Sequence, residues 1–284
     1  MIEIKNLCHA YKNADREVRA VDNVSMTVEK GKTTCIIGHT GSGKSTLIQH
    51  LNGLLKPTSG EVLLDGVNIF GKDVKMKDVR RKVGLVFQYP EYQLFEETVK
   101  ADIAFGPKNM SLPQEEIDDR VIRYSALVGL DPAVLEKSPF ELSGGQKRRV
   151  AIAGIMAMKP EILVLDEPAA GLDPEGRNNI FDAIDEYRKS ENATVIIVSH
   201  SMEDMSERCD RIAVLCKGEM IAQGSTEEIY SDPQLLINAG LDVPEITRIA
   251  ILLADRGYKS ERPIYTVDQA VNFIMNFKNG GRRE

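Results

Sequence analysis

The sequence predicts an α/β fold in which helices cover a mainly parallel β-sheet. Short runs of β-branched residues alternate along the chain with longer stretches of helical periodicity, which is the pattern of β-α-β units. Several of these runs are apolar at every position, as expected for strands that are buried on both faces of a parallel sheet. The clearest predicted strands are residues 33–37, 83–87, 162–165, 194–198 and 212–215.

Two regions depart from this alternation. Residues 2–7, 25–28 and 61–64 alternate in polarity and favour a small antiparallel sheet. Residues 92–141 contain no strand pattern, and residues 114–128 have helical spacing after a proline. The sequence therefore predicts an antiparallel β subdomain and an inserted helical subdomain.

The last part of the chain is predicted to be an α-rich appendage. The sheet patterns end near residue 222, and Ser225 has the chemistry of an N-cap for a short helix. Residues 244–254 again have helical periodicity. We therefore expect a main domain at residues 1–230 and a C-terminal appendage at residues 231–284.

The chain is acidic, with a formal net charge of -7 at pH 7. A protein that coats nucleic acid gains affinity from a basic surface, so this charge argues against nucleic acid as a partner. A Gly-rich basic tail at residues 278–283 is the local exception, and we expect it to be solvated.

The sequence also limits any association with a membrane. Its longest apolar stretch, residues 150–158, has about half the length of a membrane-spanning helix and contains a glycine. Residues 1–5 alternate like a strand and lack the layout of a signal peptide. We therefore expect a cytoplasmic protein whose membrane role is peripheral.

The four cysteines have no recognisable ligand or disulfide pattern. They are Cys8, Cys35, Cys209 and Cys216. They form no C-x-x-C pair and show neither zinc-ligand nor disulfide-framework spacing. We expect them to be small buried apolar residues.

A glycine-rich segment between a predicted strand and a predicted helix has the spacing of a phosphate-binding loop. The segment fits G-x-x-x-x-G-K-[ST] and consists of Gly38, His39, Thr40, Gly41, Ser42, Gly43, Lys44 and Ser45. Glycines let successive N–H groups point into one concavity, where the helix N-terminus adds partial positive charge for phosphates. Lys44 can then reach the β- and γ-phosphates of a nucleotide, and the Ser45 hydroxyl can bind Mg²⁺. The alternative, a flexible loop without a ligand, does not account for the flanking strand and helix.

Two adjacent carboxylates follow the apolar strand at residues 162–165. Asp166 and Glu167 lie at its carboxyl end, where open α/β sheets bind their ligands. Adjacent strand residues point in opposite directions, so one carboxylate can face a metal ion and the other an attacking water. We assign Asp166 to Mg²⁺ and Glu167 to orienting and deprotonating the water. A helix-capping pair is the alternative for an isolated Asp-Glu, but it loses weight downstream of a phosphate-binding loop.

A third motif indicates the family. Leu142 is followed by Ser143, Gly144, Gly145 and Gln146 at the start of a long predicted helix. A serine, two glycines and a helix N-terminus form an anion site, and the pentapeptide resembles the signature motif of ATP-binding-cassette proteins. The resemblance implies a P-loop NTPase cassette that hydrolyses ATP with Mg²⁺. It also implies a head-to-tail dimer, in which each signature closes on the γ-phosphate of the nucleotide bound by the other subunit.

Other positions of the family pattern can be carried over one at a time. Tyr11 resembles the aromatic residue that stacks on adenine, with a plain core tyrosine as the alternative, and Thr46 extends the phosphate-binding loop. Gln88 resembles the glutamine that contacts Mg²⁺ and couples hydrolysis to a transmembrane partner. Asp173 resembles the aspartate that communicates between the two nucleotide sites, and His200 the switch histidine at the γ-phosphate. The catalytic residues implied in this way are Lys44, Glu167 and His200.

The remaining histidines receive no catalytic role. His39 occupies a variable position of the phosphate-binding loop and is expected to border the nucleotide as a loop residue. His9 and His50 match no position of the family pattern. We expect both of them to be structural.

Two segments narrow the branch of the family. Residues 87–95 and residues 244–248 resemble the corresponding parts of energy-coupling factor ATPases. The resemblance implies uptake of vitamins or of cobalt or nickel ions, with a transmembrane coupling protein and a separate substrate-binding membrane subunit as partners. It places the chain at the cytoplasmic face of the cell membrane, paired with an identical or a related cassette. The ATPase of another importer or of an exporter is the alternative, because its core motifs would be the same.

Overall fold

The structure is a computed structural model that describes residues 1–13 and 16–278. Within these ranges the strands are β1 (Ile2–Asn13), β2 (Arg16–Val28), β3 (Thr33–Ile37), β4 (Ser59–Leu64), β5 (Val67–Asn68), β6 (Val83–Val86), β7 (Ile162–Asp166), β8 (Thr194–Val198), β9 (Arg211–Cys216) and β10 (Glu219–Ser225). The helices are α1 (Lys44–Leu51), α2 (Met76–Lys82), α3 (Val99–Asn109), α4 (Gln114–Leu127), α5 (Gly144–Met156), α6 (Pro174–Ser190), α7 (Met202–Arg208), α8 (Thr226–Ser231), α9 (Pro233–Asn238), α10 (Glu245–Ala254) and α11 (Val267–Lys278). Short 3₁₀ turns form at Pro90–Gln93, Pro132–Val134 and Pro139–Glu141.

The larger sheet has the strand order β10-β9-β3-β8-β7-β6. All neighbours from β9 to β6 pair in parallel, whereas the edge strand β10 pairs with β9 in the antiparallel direction. Parallel strands end at one edge of a sheet, so the segments that follow β3, β6, β7 and β8 emerge side by side. This edge carries the phosphate-binding loop and the predicted catalytic residues.

The two faces of this sheet belong to two hydrophobic cores, since strand side chains alternate between faces. Cys35, Leu163 and Ile197 pack on the side covered by α3 to α6. Ile36 and Val164 pack on the other side, against α1 and the small sheet. The sheet is therefore buried on both faces, as its continuous apolar strands predicted.

The smaller sheet is antiparallel and has the order β2-β1-β4-β5. Its strands β1 and β2 are much longer than the predicted segments at residues 2–7 and 25–28. Register shifts interrupt their pairing between Ile4 and Leu7, and again on both sides of His9. Such bulges break the polar and apolar alternation by which a strand is recognised in sequence.

The remaining predictions of secondary structure hold with a few corrections. The parallel strands agree with prediction to within one residue at each end, and the described residues of the 92–141 segment form helices and turns without a strand. The sheet does not end near residue 222, because β10 continues to Ser225, where the predicted N-cap begins α8. Helices α9 and α11 of the appendage were not predicted.

The appendage packs on the same core as the sheet. Leu236 and Val243 are fully buried in the core on the α3 to α6 side. The ring of Tyr230 stacks on that of Tyr265, with centroids 5.1 Å apart. The division at residue 230 stays a prediction, and the predicted basic tail beyond Lys278 lies outside the described residues.

The cysteines correct one expectation. Cys35 in β3 and Cys209 before β9 form a disulfide, with Cα atoms 6.0 Å apart. Cys8 and Cys216 are free and only half-buried. The prediction that all four are simple buried apolar residues is therefore wrong.

Within residues 1–13 and 16–278, no helix combines the length and the apolar character that crossing a membrane requires.

Candidate nucleotide site

A pocket of about 510 Å³ opens at the carboxyl edge of the larger sheet. It is lined by Gly38, His39, Thr40, Lys44, Gln88, Glu167, His200, Met202, Gly240, Leu241 and Asp242. These residues follow β3, β6, β7 and β8 or belong to the loop after α9. The fold thus brings together predicted site residues that are up to 162 positions apart in the chain, from Gly38 to His200.

The phosphate-binding loop has a backbone that only glycine accommodates at two positions. Gly41 and Gly43 have φ values of 80° and 100°, in the left-handed region. A Cβ atom on Gly43 would also lie 2.2 Å from the carbonyl oxygen of Ala20 in β2. The loop leads directly into α1, whose first residue is Lys44. Its N–H groups and the helix N-terminus are therefore available to an anion.

Lys44 lies over the mouth of this loop. Its Nζ donates to the carbonyl oxygens of Gly38 and His39, at 2.7 and 3.0 Å. Burial lowers the pKa of the Lys44 ammonium, while the negative charges of Glu167 and Asp166 oppose that change. An ammonium that is held by neutral carbonyls in a half-buried site is well suited to bind a phosphate oxygen instead.

Ser42 provides an unsatisfied polar group in the same loop. Its hydroxyl oxygen is buried and has no hydrogen-bond partner among the residues that the structure describes. Buried polar atoms normally have a partner, and exceptions often mark a place where a ligand or an ion binds. The hydroxyl therefore supports a ligand at this loop.

Of the residues expected to bind Mg²⁺, Gln88 lines this pocket, whereas Ser45 and Asp166 directly follow and precede the lining residues Lys44 and Glu167 in the chain. Asp166 ends β7 with 4% relative exposure, and the Ser45 side chain hydrogen-bonds to its carboxyl group. Burial raises the pKa of Asp166, the charge of Glu167 adds to that increase, and Ser45 and Lys44 oppose it. Gln88 lines the same pocket. Carboxylate, hydroxyl and amide oxygens are the hard ligands that Mg²⁺ prefers, so these residues fit the ion.

Glu167 is held in an unusual backbone conformation. Its φ is 51°, in the left-handed region that is costly for a residue with a side chain. Its N–H donates to the carbonyl oxygen of Val198 in the neighbouring strand β8, at 2.9 Å. Nδ1 of His200 donates to its Oε1 at 2.8 Å. The backbone and the imidazole together fix a carboxylate that can act on a water molecule.

Tyr11 lies beside the first turn of the phosphate-binding helix α1. Its side chain on β1 is 42% exposed, so the ring is accessible to a ligand. Its hydroxyl shares a hydrogen bond of 3.2 Å with the hydroxyl of Thr46 in α1. An exposed aromatic ring beside a phosphate-binding helix is suited to stack on a nucleotide base.

The signature is not part of this pocket. Ser143 caps α5, accepting from the N–H of Gln146, whose side chain accepts in turn from the N–H of Ser143. A Cβ atom on Gly144 would meet nothing within 4 Å, and one on Gly145 would meet only Leu172. None of these signature residues is among the pocket-lining residues. The N-terminus of α5 therefore does not line the pocket of its own chain, and the predicted contact with a nucleotide held by a second subunit stays a prediction.

Asp173 also lies outside the pocket. Its Oδ1 accepts from the N–H of Gly176 at 2.7 Å and caps α6. The loop between Glu167 and Asp173 leads directly from the candidate base to this cap. The predicted communication between nucleotide sites remains a prediction.

One wall of the pocket consists of residues that the sequence did not predict. Met202, Gly240, Leu241 and Asp242 line it together with the predicted residues. The last three residues follow α9 in the appendage, and no motif or periodicity marks them. Their position depends on the burial of Leu236 and Val243 on either side of them, which only the folded chain reveals.

A buried ion pair behind the pocket was also missed. Arg148 in α5 donates to both carboxylate oxygens of Glu91, at 3.0 and 3.2 Å, and to the carbonyl oxygen of Ala170. The two side chains are only 5% and 16% exposed. Glu91 is three residues after Gln88, and Ala170 is three residues after Glu167. The pair thus joins the signature helix to the loops on either side of the candidate site.

A second pocket, of about 190 Å³, lies between α3, α5 and the turn at Pro90–Gln93. Its lining is mainly apolar and includes Val86, Leu94, Phe95, Phe105, Gly106, Val150, Gly154, Ile155 and Met158. Phe95 and Phe105 are both partly exposed, and their rings meet edge to face with centroids 4.8 Å apart. We call this pocket the α3–α5 groove.

Comparison with known proteins identifies the family. The family profile described as ABC transporter matches residues 21–170. The chain is 50% identical over 280 residues to the energy-coupling factor transporter ATP-binding protein EcfA2 of Clostridium tetani, covering 98% of this chain and 97% of that protein. It is 51% identical over 276 residues to the EcfA2 of Clostridium perfringens, covering 96% of this chain and 97% of that protein.

Two solved structures have the same fold. The structure of cbiO1 from Clostridium perfringens, described as part of the ABC transporter complex cbiONQ, has a TM-score of 0.74 and 36% identity, and the match covers 89% of this chain and 98% of that one. A dimeric ATP-binding cassette, MJ0796, bound to ADP and Pi in a post-hydrolysis state, has a TM-score of 0.73 and 29% identity over 80% of this chain and 99% of that one. The resemblance read from the signature and from residues 87–95 is confirmed. The chain belongs to the ABC transporter family, and within it to the ATP-binding proteins of energy-coupling factor transporters.

Proposed function

We propose that this chain binds and hydrolyses ATP and converts that reaction into movement of a membrane transporter. The observation that carries the proposal is the convergence of Lys44, Gln88, Glu167 and His200 on one pocket beside the phosphate-binding loop. These residues supply an ammonium, an amide, a carboxylate and an imidazole at the same place. That set matches the needs of phosphoryl transfer to water.

Each residue has a distinct task in this reaction. The N–H groups of the loop and Lys44 bind the phosphates, and Tyr11 stacks on the adenine. Glu167 accepts a proton from the attacking water, and His200 keeps its carboxylate in place through their 2.8 Å hydrogen bond. Ser45, Gln88 and Asp166 would hold Mg²⁺, which would neutralise charge on the phosphates. Asp166 and Glu167 are adjacent in the chain, so the residue expected to bind the metal lies next to the residue expected to act on the water.

A second cassette completes the site. The signature residues Ser143, Gly144 and Gly145 lie at the N-terminus of α5, outside the pocket of their own chain. They are therefore free to bind the γ-phosphate held by a partner cassette, which can be an identical or a related chain. The dimeric state of the similar cassette bound to ADP and Pi supports this arrangement. ATP at the interface supplies the differential affinity that closing two subunits requires.

The α3–α5 groove is the place for a transmembrane coupling protein. Its lining includes Val86 and Pro90, which lie two residues before and two residues after Gln88, so a helix in the groove would contact the loop that reaches the nucleotide. Its apolar lining suits the apolar face of a short helix. We place the chain peripherally at the cytoplasmic face of the membrane. A separate membrane subunit binds the cargo, for which vitamins and cobalt or nickel ions are the candidates, and nucleic acid is not a partner.

Purification from membranes tests this function most directly. The full chain, tagged and expressed in the organism that naturally produces it, should be recovered with a second cassette and with membrane proteins. The purified complex should hydrolyse ATP. Mutation of Glu167 in the complex should stop both hydrolysis and uptake. Recovery of a two-permease exporter would contradict the energy-coupling assignment, and a complex without ATPase activity would contradict the function itself.

A further inference from the structure

A closed ring of contacts among four residues joins Tyr11, which we expect to stack on the nucleotide base, to the phosphate-binding helix. Tyr11 and His9 lie two positions apart on β1, whereas Thr46 and His50 lie four positions apart on α1. The rings of Tyr11 and His9 meet edge to face with centroids 4.7 Å apart, and those of His9 and His50 do the same, also at 4.7 Å. The Tyr11 hydroxyl closes the ring on Thr46 at 3.2 Å.

The hydrogen bonds in this ring have a definite direction. The carbonyl oxygen of Thr46 can only accept, so Nδ1 of His50, 2.7 Å away, carries the hydrogen. Nε2 of a neutral His50 is then an acceptor, and it accepts from Nδ1 of His9 at 3.1 Å. The same Nδ1–H of His9 also faces the carbonyl oxygen of Lys56 at 3.2 Å. The three contacts agree with one another only when His50 is neutral.

The burial of the pair is consistent with that neutral state. His50 is fully buried and His9 is 9% exposed. Burial lowers the pKa of His50 to about 4, an effect that the neighbouring His9 reinforces. A neutral, buried imidazole is stable only when its polar atoms are paired, as both nitrogens of His50 are here. Simple core packing at this position would be achieved at lower cost by an apolar side chain.

The contacts converge on Thr46 from both directions. Its hydroxyl is bonded to the exposed Tyr11, and its carbonyl is bonded to the buried His50. Thr46 directly follows the Ser45 that ends the phosphate-binding motif. These contacts therefore fix the orientation of the Tyr11 side chain, on the small sheet, relative to α1, the helix expected to bind the phosphates. A nucleotide that contacts both the Tyr11 ring and α1 gains affinity when the two are held in the bound arrangement before it binds.

We propose that His50 and His9 are positioning residues, which hold the Tyr11 ring in the orientation that stacks on the base of the nucleotide. This inference rests on the proposed nucleotide-binding function of Tyr11 and of the phosphate-binding loop. It assigns no contact with the nucleotide to either histidine. Their effect is confined to the base end of the site, because the loop N–H groups and Lys44 hold the phosphates independently.

The test compares a ligand that has a base with one that lacks it. Binding of MgATP and of magnesium tripolyphosphate to the full-length protein is measured by calorimetry for Tyr11→Leu, His50→Phe and His9→Phe. Tyr11→Leu should weaken MgATP by roughly tenfold through lost base stacking. His50→Phe and His9→Phe should each weaken it by about three- to tenfold, within the limit set by Tyr11→Leu. Tripolyphosphate should bind all variants as it binds the wild type, within about twofold.

Two further variants separate positioning from general damage to the fold. Ile48→Val shortens a buried core residue of α1 and changes none of the four residues in the ring of contacts. It should leave the affinities for MgATP and for tripolyphosphate unchanged. His50→Phe combined with Tyr11→Leu should weaken MgATP no more than Tyr11→Leu alone, because both act through one contact. If His50→Phe does not fold, His9→Phe provides the same comparison, since it removes the same hydrogen bond between Nδ1 of His9 and Nε2 of His50 from the other partner.

The outcomes distinguish the inference from the function on which it rests. Equal loss of both ligands in the histidine variants, or no loss of MgATP, would overturn the inference alone. Unchanged MgATP binding in Tyr11→Leu would overturn the base site and the inference together. Failure of the wild-type protein to bind MgATP would overturn the proposed function.

Discussion

Nδ1 of His200 donates a hydrogen bond to Oε1 of Glu167 across 2.8 Å, although the two residues follow different strands. The contact is possible because β7 and β8 are parallel neighbours, with Asp166 paired to Val198 at their carboxyl ends. Glu167 is 13% exposed, whereas His200 is 75% exposed. The carboxylate is thus sheltered, and the imidazole that orients it faces the open pocket.

Glu167→Gln tests the proposed base. The amide keeps the size of the side chain but cannot accept a proton, so MgATP should still bind while hydrolysis falls by a factor of roughly 10² to 10⁴ or more. ATP that is bound but not hydrolysed should also trap the closed dimer, which can be measured by light scattering. Glu161→Gln is the matched control, because Glu161 lies at the surface with only a distant ion pair to Lys82. Hydrolysis at the wild-type rate in Glu167→Gln would contradict the assignment.

Lys44→Ala should weaken binding of the phosphates. The substitution removes the ammonium that is held over the loop by Gly38 and His39, and with it a charge-assisted contact to the phosphates. Affinities for MgATP and for tripolyphosphate should fall together, by tenfold or more. Lys77→Ala, on the exposed face of α2, removes a lysine without touching the pocket. Unchanged affinity in Lys44→Ala would show that the loop does not bind phosphate.

Much of this site could be predicted from the sequence because its parts are local. The loop at residues 38–45 and the pair Asp166 and Glu167 each directly follow an apolar strand, and the two strands are buried on both faces. A parallel sheet then brings such segments to one edge whatever lies between them in the chain. The motif order alone therefore indicated which residues would meet.

The features that were missed depend on contacts between distant segments. Cys35 and Cys209 are 174 positions apart and meet because β9 pairs with β3, placing Ile212 opposite Cys35. Asp242 reaches the pocket through the packing of the appendage, which leaves no periodic pattern in the sequence. Glu167 likewise has a left-handed φ and donates its N–H to Val198 in the neighbouring strand. A glutamate in the sequence does not predict that conformation.

Phe105→Glu tests the α3–α5 groove as the site of the membrane partner. A carboxylate in an apolar groove opposes burial by an apolar helix, so the variant should lose the co-purifying membrane protein. MgATP binding should be unchanged, because Phe105 is not among the residues that line the nucleotide pocket. Ile122→Glu, at a 62% exposed position of α4 outside the groove, is the matched control. If the two variants retain the partner equally well, the groove is not its binding site.

The buried pair of Glu91 and Arg148 makes a prediction about stability. Glu91→Leu leaves the Arg148 guanidinium buried without its counter-charge, which should lower the free energy of unfolding by about 3–5 kcal/mol. Glu91→Leu combined with Arg148→Met removes both charges and should recover most of that loss, since a buried pair is often no more stable than an apolar one. Urea denaturation of the full-length variants measures both values. A double variant as unstable as Glu91→Leu would mean that the contact of Arg148 with Ala170 dominates.

His50 makes a prediction about pH. Its pKa is about 4 in the folded protein, against 6.5 for an ordinary histidine. Between these values the unfolded chain binds a proton that the folded chain does not, so the free energy of unfolding falls as the pH is lowered. The stabilising contribution is fully present above pH 6.5 and is lost progressively towards pH 4. From pH 7.5 to pH 5 the loss from this one group is on the order of 2 kcal/mol.

The difference between wild type and His50→Phe isolates this group from the carboxylates that titrate in the same range. The wild-type protein should lose about 2 kcal/mol more than the variant between pH 7.5 and pH 5, measured by urea denaturation at each pH. His39→Phe is the matched control, because it makes the same substitution in the open pocket and not in the core. Equal pH slopes in wild type and His50→Phe would mean that the pKa of His50 is the same in the folded and unfolded chains, which would contradict a buried imidazole that stays neutral at pH 5.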